Sequence, residues 1–163
     1  MNQEELSKVV TKVIHTMIPP RMTLELAKYV TSKVEDKARE MGINVVIAVS
    51  NDGARPVAIH CMDDAFIASY DVAVNKAYTV VALKMSTAKL KELSQPNQSL
   101  YGIQFTNDGQ IIIFGGGEPI LYEGKVIGGL GVSGGTEEQD TLLAAYGKSM
   151  LEEALKCQLM KNK

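Results

Sequence analysis

The sequence predicts an α+β domain, on three observations. Helical patterns open, interrupt and close the chain, and short β-branched runs lie between them. Those runs are joined by tight turns in neighbouring pairs, as an antiparallel sheet with helical layers requires. A length of 163 residues suits one domain with a real core, and no internal repeat or low-complexity stretch divides it.

Taken in order, Leu6, Val9, Val10, Val13, Ile14 and Met17 recur at steps of three and four. That spacing gives an amphipathic helix from Gln3 to Ile18, which Pro19-Pro20 stops. Thr23 can cap a second helix carrying Leu24, Ala27, Val30, Val34, Ala38 and Met41, with Gly42 closing it. Asn44 to Ser50 is too short and β-branched for a helix and predicts a buried strand. Asn51-Asp-Gly53 turns it back into a partner from Pro56 to Cys61.

Met62-Asp-Asp64 then leads into a mostly apolar helix over about 65–84, and Ser86 can cap a shorter one through Leu93. Gln95 to Asn107 reads as an irregular segment, after which Asn107-Asp-Gly109 turns into Gln110 to Phe114. A strand near 119–122, the turn Glu123-Gly124 and a strand from Lys125 to Val132 form a hairpin. Thr136-Glu-Glu-Gln139 is a capping box that opens the last helix.

Composition sets limits on function. The chain is 45% hydrophobic and 22% charged, with a formal net charge of −2 and interspersed signs. No basic run offers a nucleic-acid surface, and no apolar run reaches the length of a membrane span. The acidic start Met-Asn-Gln-Glu-Glu is unlike a secretory signal, and Cys61 and Cys157 match no zinc spacing. A cytoplasmic protein is expected.

Nine of the fourteen glycines fall between Gly115 and Gly135. Gly129-x-Gly131-x-x-Gly134 has the spacing of a dinucleotide fingerprint, but no second strand follows the last helix, so that reading fails. Gly131-Val-Ser133-Gly-Gly135 fits a nucleophile elbow literally, yet no histidine follows His60 to complete a triad. The amides of Gly134 to Glu137, at the start of the last helix, are candidates for anion binding, opposed by Glu137 and Glu138.

In the middle helix Asp71, Asn75 and Thr79 share one face, with Lys76 beside them. Polar groups in so apolar a helix either border a pocket or belong to a structural network in which Lys76 meets a carboxylate. His15 and His60 are the candidate metal ligands. His15 falls on the polar face of the first helix, and His60 and Cys61 point to opposite faces of a strand.

Several segments together resemble the GlcG/HbpS family. They are Val46-Ile-Ala-Val-Ser-Asn-Asp-Gly53, Met62-Asp-Asp-Ala65, Asp71 to Val80, Phe114-Gly-Gly-Gly117 with Pro119, and Gly128 to Asp140. That family includes the C-terminal domain of PduO-type cobalamin adenosyltransferases, and the resemblance covers about 23–155.

It implies a profilin-like α/β/α fold with a five-stranded antiparallel sheet, homo-oligomers, and a non-catalytic accessory role in which haem, another tetrapyrrole or a corrinoid is bound during cofactor handling or redox response. The shared positions Asp71, Lys76, Thr79, Gly115, Gly116, Gly134 and Gly135 are then the cofactor-binding candidates; His15 and His60 are not part of the pattern. The adenosyltransferase half is absent.

Residues 1–20 lie outside the resemblance, which leaves residues 21–163 as the domain proper. The first helix with its Pro-Pro is similar to helices that direct cargo into bacterial metabolic compartments, which would make the chain an accessory of a diol- or glycolate-metabolising complex; an ordinary packing or dimer helix is the other reading. An enzyme acting on a small metabolite, with Lys76 and Asp71 moving protons, is the remaining alternative.

Overall fold

The computed structural model describes residues 2–17 and 20–161, the side chains of residues 11, 12, 14–17 and 157–161 excepted. The predicted helix end at Ile18 and its stop at Pro19 lie outside the described residues. The order is α1 (Gln3–Met17), α2 (Leu24–Glu40), β1 (Val46–Asn51), β2 (Pro56–Cys61), α3 (Ser69–Leu83), α4 (Thr87–Leu93), β3 (Gly117–Tyr122), β4 (Lys125–Ser133) and α5 (Glu137–Lys161).

The predicted caps form. Thr23 Oγ1 accepts from the Leu26 amide at 3.2 Å and Ser86 Oγ from the Lys89 amide at 3.2 Å. At α5 the Thr136 amide donates to Gln139 Oε1 and the Gln139 amide to Thr136 Oγ1. Each satisfies a helix-end donor that has no partner inside the helix. Glu123 and Gly124 both adopt positive φ, +46° and +78°, as a two-residue hairpin turn demands.

The sheet has the order β2-β1-β4-β3, and every neighbouring pair is antiparallel. Among the described residues four strands are present, not the five the resemblance implied. Ile111 to Phe114 forms no strand. There the Ile112 amide donates to Thr79 Oγ1 at 3.0 Å, and the Gln110 carbonyl accepts from the same hydroxyl at 3.3 Å. The segment thus spends backbone groups on a helix side chain rather than on a neighbouring strand. The middle helix also starts later than predicted, at Ser69. Asp64 takes φ +62°, which turns the chain before a helix can begin.

α2 and α5 cover one sheet face, where Leu26, Val30, Val34, Ile47, Val49, Leu130, Val132, Leu143 and Leu151 form the main core. α3 covers the other face against Val46 and Ala48. Alternation along β4 explains its glycines. Leu130 and Val132 point into the main core, whereas Gly129 and Gly131 lie under α3. A Cβ on Gly131 would stand 2.0 Å from the Ala73 carbonyl oxygen, so α3 rests directly on the strand backbone.

α1 stands apart from this core. Its described apolar residues Leu6, Val9, Val10 and Val13 are about half exposed, from 47 to 51%.

Candidate cleft at the convergence of two helix starts

The start of α3, the end of β4 and the first turns of α5 enclose a cleft of about 310 Å³. Phe66, Ala68, Val72 and Phe114 make its apolar walls. Phe66 and its neighbour Ile67 are 72% and 96% exposed, so the apolar surface continues outside the mouth. Adjacent exposed side chains of this kind extend the apolar wall into one contiguous surface.

The polar lining comes from Ser69, Ser133, Glu137 and Asp140. Ser133 Oγ donates to Ser69 Oγ at 3.2 Å, and both residues are buried. Ser133 therefore has a serine for a partner, with no base beside it, and no elbow-type nucleophile is assembled. Asp140 Oδ1 accepts from the Gly135 amide at 2.9 Å and Oδ2 from Lys76 Nζ at 3.0 Å. Glu137 Oε1 accepts from the Gly115 amide at 2.8 Å, and Oε2 from Lys91 Nζ at 2.6 Å. These two donors hold the Glu137 carboxyl below the usual carboxylate range, the Lys91 bond contributing most.

Lys76 is fully enclosed. It leaves α3, passes the end of the sheet and reaches α5 on the opposite side. Its ammonium donates to the Val132 carbonyl at 2.7 Å and to Asp140, and lies 4.9 Å from the centroid of the Phe114 ring. Three acceptors suit the three protons of an ammonium. Burial pushes Lys76 down and Asp140 up from their ordinary values, and the attraction between the two opposes both shifts. The full set of charge-assisted bonds favours the ion pair.

This arrangement sorts the sequence-based candidates. Gly134 and Gly135 line the cleft. Gly115 and Gly116 instead face protein, since a Cβ would meet Thr141 Oγ1 at 2.1 Å in the first and Lys76 Nζ at 2.6 Å in the second. Thr79 is buried and holds the 110–112 segment. Asp71 is exposed on the first turn of α3, and the carboxylate partner of Lys76 is Asp140. The structural-network reading of Lys76, in which it meets a carboxylate, is the one that forms.

At the α5 start the protein itself takes two of the amides proposed for an anion: the Gly135 amide bonds to Asp140 and the Thr136 amide to Gln139.

His60 is also structural. Its Nδ1 lies 2.8 Å from Glu35 Oε2 and its Nε2 3.2 Å from Thr31 Oγ1, so α2 occupies both ring nitrogens. A ring with both nitrogens engaged has none left for a metal. The side chain of His15 lies outside the described residues. Among the described residues no group of three His, Cys, Asp or Glu side chains is placed to hold a metal ion, and no helix is long and apolar enough to cross a membrane.

Sequence reasoning missed Ser69, Phe66, Phe114 and Val72 as a wall and Asp140 as the lysine's partner. The one available signal was Asp140 following the capping box at the end of the glycine run.

Fold and cleft together define a small α/β/α domain with an apolar-walled recess at an end of its sheet. Comparison places it in a family: the profile of the HbpS-like family, described as haem degrading protein HbpS-like, matches residues 22–148. The chain belongs to that family.

It is 47% identical over 136 residues to an uncharacterised 15.0 kDa protein in the dhaT–dhaS intergenic region of Citrobacter freundii, covering 83% of this chain and 91% of that one. The crystal structure of Klebsiella pneumoniae protein ORFY superposes with a TM-score of 0.80 at 43% identity, covering 83% and 94% of the two chains. A PduOC–haem complex superposes with a TM-score of 0.77 at 31% identity, covering 80% of this chain and 94% of that one. Of the full corrinoid adenosyltransferases PduO from Citrobacter freundii and Salmonella typhimurium, this chain spans only 32% and 34% of the length.

Proposed function

We propose that this protein binds haem or a closely related tetrapyrrole in the cleft and acts as a non-catalytic accessory in cofactor handling or redox response. The observation that carries the reading is the apolar wall of Phe66, Ala68, Val72 and Phe114, continued outside the mouth by the exposed Ile67. Flat apolar macrocycles are held by such surfaces, with a few polar groups fixing orientation. The haem complex of a 31% identical relative with the same fold supports it. When bound, the cofactor would supply redox or ligand-binding chemistry at its iron, while the chain's part is to hold and shield the ring. A corrinoid is the alternative ligand.

Titration with hemin tests the reading, with a saturable Soret shift as the expected result. Ala68→Trp, at an exposed position on the cleft wall, should weaken binding by about tenfold or more while the fold stays intact. Absence of saturable binding to the wild-type protein would overturn the reading.

A second reading concerns α1. Its exposed stripe Leu6, Val9, Val10 and Val13 favours a docking role toward a metabolic enzyme complex or compartment shell, or toward another copy in a homo-oligomer. Deleting residues 1–20 should then release the domain from such assemblies without unfolding it. Unchanged co-sedimentation after the deletion would remove this reading.

A further inference from the structure

The charged groups of the cleft are already paired with one another. Its lining contains two carboxylates, Glu137 and Asp140, and no lysine, arginine or histidine. Each of the four carboxylate oxygens accepts a hydrogen bond from the protein: Gly115 and Lys91 at Glu137, Gly135 and Lys76 at Asp140. Two of the amides at the start of α5, a place that elsewhere attracts anions, are taken by the protein itself: Gly135 by Asp140 and Thr136 by Gln139. Lys76 is sealed behind Phe114, with all three of its protons directed at partners.

An anionic group entering this recess would lose its water, find no unpaired cation in the lining, and face two carboxylates. Burial of an unpaired charge is among the most costly events available to a ligand. The apolar walls, by contrast, gain from any hydrocarbon surface placed against them. The volume, about 310 Å³, is at the small end of ligand sites and takes only part of a macrocycle.

We infer that the cleft takes a tetrapyrrole by its hydrocarbon edge, leaving the propionate carboxylates in solvent, so that recognition is independent of those carboxylates. The inference rests on the binding proposed above and specifies the ligand class: planar macrocycles with an apolar edge, whether the opposite edge is charged or esterified. Ser69 and Ser133 at the back of the recess then serve as its neutral polar surface.

The test compares hemin with hemin dimethyl ester, both titrated in the same mild detergent against wild type and Ala68→Trp, read by the Soret band. The expected result is affinities within about threefold of each other, each weakened about tenfold by Ala68→Trp. Were a propionate held inside the cleft, esterification would cost about tenfold or more, the worth of one charged hydrogen bond; that result overturns the inference and leaves haem binding standing. Equal binding of both ligands that ignores Ala68→Trp also overturns it, because the ring then lies elsewhere. Binding of neither ligand removes the underlying reading instead.

Discussion

Replacing Lys76 with methionine tests the internal connection between the two helical layers. The lysine is fully buried, and the Asp140 side chain is only 5% exposed. Methionine keeps much of the aliphatic stem but removes the charge, leaving Asp140 a buried carboxylate with backbone amides for partners and Val132 O without its donor. Breaking a buried pair from one side costs about 3–5 kcal/mol. For a chain of this size each kcal/mol moves Tm by roughly 2–4 °C, so the loss should be roughly 6–20 °C.

Urea denaturation of wild type, Lys76→Met, Asp140→Asn and the double variant measures it. Asparagine can still accept from Gly135 while removing the stranded charge, so the double variant should recover at least about half of the loss. The pH dependence has a definite sign. Burial already raises the Asp140 carboxyl, and loss of Lys76 raises it further. A raised folded-state value favours the neutral acid, so the penalty of Lys76→Met should be smallest below about pH 3.9, the ordinary aspartate value, and grow as pH rises through the folded value. A loss under about 1 kcal/mol, or additive single and double variants, would refute this account of the pair.

Three further outcomes are expected. Gly131→Ala should cost about 3 kcal/mol, since its Cβ would collide with the Ala73 carbonyl and neither backbone can yield cheaply; a near-neutral denaturation midpoint would show that α3 can lift from β4. His60→Ala should leave the hemin spectrum unchanged while costing about 1–2 kcal/mol from the stranded Thr31 and Glu35 contacts, so a lost or shifted Soret band would contradict the structural role assigned to that ring.

Glu137 is held below the ordinary carboxylate value of 4.5, so its contribution to stability is present above that pH and is lost as pH falls through the folded value. In Glu137→Gln the acid limb of the stability profile should flatten, and an unaltered limb would argue against the Lys91–Glu137–Gly115 connection.

The elements that were legible in the sequence are those governed by neighbours a few residues apart. Thr23, Ser86 and the Thr136–Gln139 box announced helix starts because a cap bonds to an amide three residues on. Glu123-Gly124 announced a hairpin because both positions need positive φ. Gln110 to Phe114 was not legible in this way: the turn before it announced no element, and Thr79, thirty-one and thirty-three residues earlier, captures its backbone. Lys76 was recognisable as a buried polar group, but Asp71 at its side was the wrong partner. Helical neighbours along a sequence do not reveal what a long side chain meets across the sheet.

By itself, then, the sequence determined the α+β class, most element boundaries, the capped helix ends and membership in the HbpS-like family, because these follow from local bonding and periodic burial. Only the tertiary structure decided the cleft. It brought Lys76 to Asp140 and Ser69 to Ser133, each pair sixty-four residues apart, and it turned the glycine run into a packing surface under α3. Those distances are set by how the layers close over the sheet, where a glycine's missing Cβ matters through what lies above it rather than through its neighbours in the chain.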